Sequence, residues 1–238
     1  MKIMAVECSA TPCSVAVIED GRVLASGFVN VKLTHSQTLM PMVESMLKAS
    51  LTNIADIDGF CVSSGPGSFT GVRIGISAVK GMAAAGKKPC VGVSTLRAMA
   101  ENYSDTDCIV CAVMDARCNQ VYNALFDISG GVITRLCDDR ALMCDELATE
   151  IKKLSQSKEK RVIIVGDGTE VFYPFVNDLD FVKMSSESRR YQNAVGVGLS
   201  AMESFYENKT AEPQKLLPVY LRLPQAEREL KLKKEQGK

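Results

Sequence analysis

The amino-acid sequence predicts an α/β protein of two lobes, with mixed sheet covered by helices. Three observations carry that expectation. Residues 2–31 read as antiparallel strands joined by tight turns, the chain then alternates helical patterns with short buried strands, and a strand-and-helix pattern begins again after Ser94.

In order, residues 2–6 are largely apolar and residues 9–12 form a small-polar turn. Residues 14–18 read as a second strand, Glu19-Asp20-Gly21 as a hairpin turn and residues 23–31 as a third strand. A helix follows. Thr34 with Gln37 three residues on is a capping-box signature, and Leu39, Val43, Met46 and Leu47 recur at helical spacing up to Ser50. Residues 59–64 form a short apolar strand, GPGSFTG a loop, and residues 72–85 a helix rich in small residues that stops at Gly86. A buried strand at 89–93 completes the first half.

The second half offers a short helix at 96–103, a buried strand at 108–114 and an alternating strand at 120–128 before Gly130-Gly131. A helix at 145–154, a strand at 162–165 and a long helix at 192–206 follow. No strict internal repeat is visible, so kinship between the halves rests on element order. The reading divides the chain into an N-terminal lobe, 1–94, a C-terminal lobe, 95–224, and a charged tail, 225–238, whose residues 227–238 lack apolar spacing and read as a frayed helical end.

With 238 residues, 46% of them hydrophobic, the chain can bury one large core or two small ones, which excludes disorder. Its 28 basic and 28 acidic residues balance, so no global field draws it to nucleic acid or a membrane; any RNA contact must be local or borrowed. The nine cysteines, several in apolar runs such as FCVSS and CIVCAVM, read as reduced, buried thiols of a cytoplasmic protein. Cys108 and Cys111 have CxxC spacing but fall within a strand, and no second pair matches them, so a core role is expected over zinc or redox chemistry. No apolar stretch is long enough to span a bilayer, and the start MKIMAVECS lacks a cleavage pattern, so the mature protein is expected to begin near Met1.

The most specific segment is SSGPGSFTGVRIG, residues 63–75, between a buried strand and a helix. Gly65 and Gly67 let the backbone turn sharply and approach a ligand closely, and the helix start beside Ser68 and Thr70 offers unpaired N–H groups, so the segment can hold a phosphate. It is neither a Walker loop, lacking Gly-Lys-Ser/Thr, nor GxGxxG. A tight strand-to-helix connection with close packing explains the same glycines, and spacing does not choose between the two. Glu7 with Ser9, Asp115, and Gly166 with Asp167 each follow a strand, where ligands bind in α/β sheets. Singly each is a turn or cap; together they suggest a nucleotide cleft, in which a carboxylate helps only by holding magnesium or a water.

The helix behind the loop carries Gly71, Gly75, Ala78, Gly81 and the run 83–85, which leaves it thin on one side. The upstream helix carries Met40, Met42 and Met46 beside Leu39, Val43 and Leu47, an apolar arc wider than one buried stripe needs. His35 is the only histidine. It excludes HExxH chemistry or any histidine pair, and a Ser-His-Asp triad would have to use it at a helix start without a GxSxG elbow. No metal site and no peptidase activity are expected.

Taken in order, Glu7-Cys8-Ser9, Thr34-His35-Ser36-Gln37 with residues 39–41, SSGPGSFTGVRIG, Met114-Asp115-Ala116-Arg117 with Val121-Tyr122, Gly166-Asp167-Gly168 and Pro218-Val219-Tyr220-Leu221-Arg222 resemble the bacterial TsaB family, formerly called YeaZ. The likeness runs along nearly the whole chain to about Arg222, and GPGSFTGVRIG is its most specific part. It implies the actin-like ATPase (ASKHA, ribonuclease H-like) fold with two related lobes. It also implies a noncatalytic subunit in tRNA threonylcarbamoyladenosine biosynthesis that binds and activates the paralogous transferase TsaD, together with the ATPase TsaE. Such a chain has no catalytic residues and no cofactor of its own, meets ATP or ADP with magnesium in the complex, reaches tRNA indirectly and pairs with a second copy when alone.

By this resemblance His35, Leu39, Met42, Val43 and Met46 of the first helix and Gly71, Val72, Gly75, Ile76, Ala78, Val79 and Met82 of the second form the partner face. A large charged residue at Gly75 or Ala78 should then block docking and leave the fold intact. TsaD relatives hold a catalytic metal with a histidine pair; after the strand ending at Val93 this chain has Ser94-Thr95-Leu96-Arg97-Ala98 instead. The family commonly begins Asp-Thr-Ser where this chain has Glu7-Cys8-Ser9, and its Gly-Glu before Val-Tyr is Asn119-Gln120 here. Both changes weaken an ATPase cleft. The alternative reading is an ATP-dependent small-molecule kinase of the same fold.

Overall fold

Near-continuous apolar strands demand cover on both sheet faces, and this chain supplies that cover twice. The computed structural model describes residues 1–154 and 160–222. The first sheet is built from β1 (Lys2–Glu7), β2 (Cys13–Glu19) and β3 (Arg22–Val29), then, across helix α1 (His35–Ala49), β4 (Gly59–Gly65), and across helix α2 (Phe69–Gly86), β5 (Cys90–Ser94). Helix α3 (Thr95–Ala100) leads to the second sheet: β6 (Cys108–Asp115), β7 (Gln120–Ser129), β8 (Val132–Arg135) and β9 (Arg140–Met143). Helix α4 (Cys144–Leu154), β10 (Val162–Val165), α5 (Thr169–Phe172), β11 (Val182–Met184), α6 (Glu187–Arg190) and α7 (Ala194–Tyr206) follow.

The two sheets share one plan. The first runs β3-β2-β1-β4-β5, with β1–β2 and β2–β3 antiparallel and β1–β4 and β4–β5 parallel. The second runs β8-β7-β6-β10-β11 with the same senses in the same order, and β9 also pairs with β7. The repeat invisible in the sequence is thus plain in the topology, and this doubled plan is the actin-like fold.

Period-two alternation assigns each strand residue to a face. Met4, Val6, Val15, Val17 and Val62 face α1 and α2, while Ile3, Ala5, Ala16, Ile18 and Cys61 face Val197, Ala201 and Phe205 of α7. In the second sheet Ile109, Cys111 and Val113 meet Leu147 and Ile151 of α4, and Cys108, Val110 and Ala112 meet Leu96 and Met99 of α3. Helices α3 and α7 pack on each other between the sheets.

Several expectations change. Helix α7, counted with residues 95–224, covers the first sheet, because none of its own helices covers the Ile3, Ala5 and Ile18 face. Helix α2 starts at Phe69 rather than residue 72, with the Ser68 hydroxyl accepting from Gly71 N (3.3 Å). Thr34 does stand at the N-cap of α1, but its side chain makes no capping bond; its carbonyl takes the Gln37 amide at 2.9 Å. Strands β8, β9 and β11 have only three or four residues and mixed polarity, too little for a period-two signal. Cys108 and Cys111, an odd number of residues apart on β6, face opposite cores and cannot form a ligand pair. The tail 225–238 and residues 223–224 lie outside the described residues. Among the described residues no helix is long and apolar enough to cross a membrane.

Candidate functional site

The parallel strands β1 and β4 of one sheet and β6 and β10 of the other end at a common cleft of about 810 Å³. Its walls include Ser9, His35, Gly67, Ser68, Thr70, Asp115 and Asp167, so most of the strand-end residues picked from sequence do meet. Glu7, Gly65 and Gly166 do not line it.

The glycine loop is engaged by its own chain. Gly65 has φ +123°, and a Cβ there would run into the Val219 carbonyl. Val219 N donates to Ser64 O at 2.8 Å. Phe69 stacks on Tyr220 with ring centroids 4.4 Å apart, the Arg73 guanidinium lies 3.8 Å from the Phe69 centroid, and Arg73 Nε donates to the Tyr220 hydroxyl at 2.7 Å. At the far side Arg222 Nη1 donates to Ala116 O at 2.5 Å. Residues 218–222 therefore strap the cleft from the glycine loop to the end of β6. Two amides that a phosphate would use are already bonded, Ser68 N to Ser9 O (2.6 Å) and Gly71 N to Ser68 Oγ.

The acids differ sharply. Glu7 is fully buried; its Oε1 accepts from Ser9 N at 2.5 Å, and Oε2 has no hydrogen-bond partner among the described residues. Burial pushes its carboxyl above the usual carboxylate range against the pull of the Ser9 hydrogen bonds. Asp167 is likewise pushed up, to about 6, by burial, although Gln192 Nε2 donates to it at 2.5 Å. Asp115 accepts from Arg117 N at 2.7 Å across a left-handed turn at Arg117, Cys118 and Asn119. Gly166, φ +106°, is needed for packing: a Cβ would strike the Val113 carbonyl.

The partner-face expectation needs correction. Leu39, Val43, Gly71, Val72, Gly75, Ile76 and Val79 are buried toward the first sheet, where the strands claim the apolar stripe of each helix. Met42 and Met46 are half-buried over Gly27 of β3, and Ala78 and Met82 pack partly on the core. A Cβ on Gly75 would stand 3.2 Å from Val62 Cγ2 and 3.4 Å from Cys8 Cβ, so a charged residue there would damage the fold rather than only block docking. What α1 and α2 leave open is an apolar channel: two adjoining grooves of about 880 and 560 Å³ share Met40 and Ile54 and include Leu47, Leu51, Ala78, Gly81 and Met82. Met40, outside the expected face, is 48% exposed at its centre.

In the sequence Cys8, Cys13 and His35 stand apart. The fold joins them: Cys8 Sγ and Cys13 Sγ are 3.9 Å apart, His35 Nε2 is 2.7 Å from Ala10 O, and the three ligand-type atoms lie within 4.8 Å of one another. The hydrogen bond shared with Cys8, with help from His35, pulls the Cys13 thiol below the usual thiol range, while the same bond and burial raise Cys8. The signal that could have found them is two cysteines flanking the 9–12 turn, with a histidine opening the helix that packs on β2.

Fold and cleft together define a two-lobed member of the actin-like class whose cleft is strapped by its own chain. The family model "TsaD: tRNA N6-adenosine threonylcarbamoyltransferase" matches residues 30–230. The chain is 33% identical to the tRNA threonylcarbamoyladenosine biosynthesis protein TsaB of Escherichia coli over 93% of its length and 95% of that protein. It is 30% identical to the Bacillus subtilis TsaB over 95% and 96%. The solved structure of YeaZ from Pseudomonas aeruginosa superposes with a TM-score of 0.78 at 25% identity, covering 92% of this chain and 99% of that one. The chain belongs to the TsaB (YeaZ) family, within the wider TsaD group.

Proposed function

We propose that this chain is the noncatalytic, partner-binding subunit of the tRNA threonylcarbamoyladenosine machinery, which docks and activates a TsaD-type transferase. The observation that carries this reading is the apolar α1–α2 channel around Met40 and Ile54, which is open to solvent and offers soft, adaptable side chains to a partner helix. Support for a TsaD-type partner comes from the relatives, which are named as threonylcarbamoyladenosine biosynthesis proteins, and from the kinship of this chain with the TsaD family. Chemistry that needs a histidine pair is out of reach for a chain with one histidine. On this reading tRNA and TsaE are met through the assembly, a second copy occupies the channel when TsaD is absent, and the protein works in the cytoplasm.

Co-purification with TsaD followed by a tRNA modification assay tests it. Loss of product when this chain is omitted is expected; full product without it would refute the role. A second reading, ATP-dependent phosphoryl transfer in the cleft, is favoured by Asp115 and Asp167, which line it side by side at the ends of the paired strands β6 and β10. Against it stand the strap and the internally bonded loop amides. Calorimetry with magnesium-ATP on the isolated chain separates the two: heat of binding at micromolar nucleotide would favour the kinase.

A further inference from the structure

We propose that Cys8, Cys13 and His35 form a binding site for a single thiolate-preferring divalent ion such as zinc, which staples the 9–12 turn to the first turn of α1.

The geometry suits the ion. Two thiolates at zinc distance, about 2.3 Å each, stand about 3.8 Å apart at a tetrahedral angle. Cys8 Sγ and Cys13 Sγ are 3.9 Å apart. The third donor is fixed by its own hydrogen bond. The Ala10 carbonyl can only accept, so His35 Nε2 carries the proton that spans their 2.7 Å separation. In the neutral ring this leaves the lone pair on Nδ1, which is buried, has no partner at normal hydrogen-bond geometry among the described residues, and belongs to a ring close enough to act on the Cys13 thiol. A ligating imidazole whose other nitrogen donates to a backbone carbonyl is the usual outer-shell arrangement of protein zinc sites. Thiolate and imidazole donors favour zinc over magnesium, so this site is separate in chemistry from any nucleotide-borne magnesium in the cleft.

Position supports the role. The ligands come from the residue after β1, the first residue of β2 and the first residue of α1. Ser9, Ala10 and His35 line the cleft, so an ion can enter from that side and a water can complete the fourth position. Helix α2 closes the other side: a Cβ on Gly71 would run into the Cys8 carbonyl and stand 3.1 Å from His35 Cδ2. Binding releases the thiol protons to solvent and involves no electron transfer.

Cobalt(II) titration of the full chain under reducing, oxygen-free conditions tests the site, followed by displacement with zinc against a chromogenic chelator. Expected are one equivalent per chain, a thiolate-to-cobalt charge-transfer band and intense tetrahedral visible bands. Cys13→Ser and His35→Ala should each weaken affinity at least tenfold, while Cys118→Ser, an exposed cysteine outside the cluster, should leave it unchanged. Because Cys13 is buried and its variant can misfold, the half-exposed His35→Ala, checked by its melting curve, decides. The absence of a charge-transfer band, a band lost in Cys118→Ser and kept in His35→Ala, or a Cys8–Cys13 disulfide formed in place of metal binding would overturn the proposal.

Discussion

Asp167 is an aspartate whose ordinary chemistry is altered by where the chain puts it. Its carboxyl is held at about 6 by burial, so the folded state binds this proton more tightly than the unfolded chain does. That stabilisation is fully present below the unfolded value near 4 and is lost as pH rises through about 6. Asp167→Asn keeps an acceptor for Gln192 and removes the titration. The variant should therefore gain in melting temperature over the parent between pH 4 and 7; a difference that stays flat across that range would contradict the assignment. Gly75 offers the opposite test. An aspartate there would press on Val62 and Cys8 and bury an unpaired carboxylate, with an expected loss of more than about 3 kcal/mol in chemical denaturation. Both are candidate site positions in the sequence, yet burial, the property that governs each, depends on Gln192, 25 positions away, for Asp167 and on Val62 of β4 and Cys8 beyond β1 for Gly75 of α2.

The glycine loop acquires its character from an element far along the chain. Spacing in 63–75 left a phosphate cradle and a tight connection equally open, and the segment 218–222 supplies what spacing lacked, with Tyr220 on Phe69 and Arg73 and Val219 on Ser64. Tyr220→Ala should release this strap. Faster hydrogen exchange at the Val219 amide, by about tenfold, with a small fall in melting temperature is expected, and unchanged exchange would show that the Tyr220 contacts do not hold the segment. Helices α1 and α2 were legible as helices because their apolar residues recur every three or four positions. Which part of each apolar arc meets the sheet was not legible, since Leu39, Met40 and Met42 carry similar hydropathy and only packing on β2 and β3 separates them.

Across the whole molecule, the first lobe presents an apolar channel on the outside of α1 and α2, while the cleft lies at the strand ends between the sheets. Separation of the two makes a clean test of docking. Met40→Lys places a charge at the centre of the channel on a side chain that is 48% exposed, so the fold should survive with a melting temperature within about 2 °C of the parent. Affinity for TsaD should fall at least tenfold in a pull-down or calorimetric titration; undiminished affinity would place the partner elsewhere.

By itself the sequence determined the α/β class, the order of the longer strands and helices, the strand-end positions of Ser9, Asp115 and Asp167, and a family likeness running to Arg222. These are local properties, carried by period, turn chemistry and short motifs. Only the tertiary structure decided that the two halves share one sheet plan, that α7 returns to cover the first sheet, that residues 218–222 close over the glycine loop, and that Cys8, Cys13 and His35 meet. The last three bring together separate segments of the chain, and such pairings are set by which buried faces still need cover once the local elements have formed.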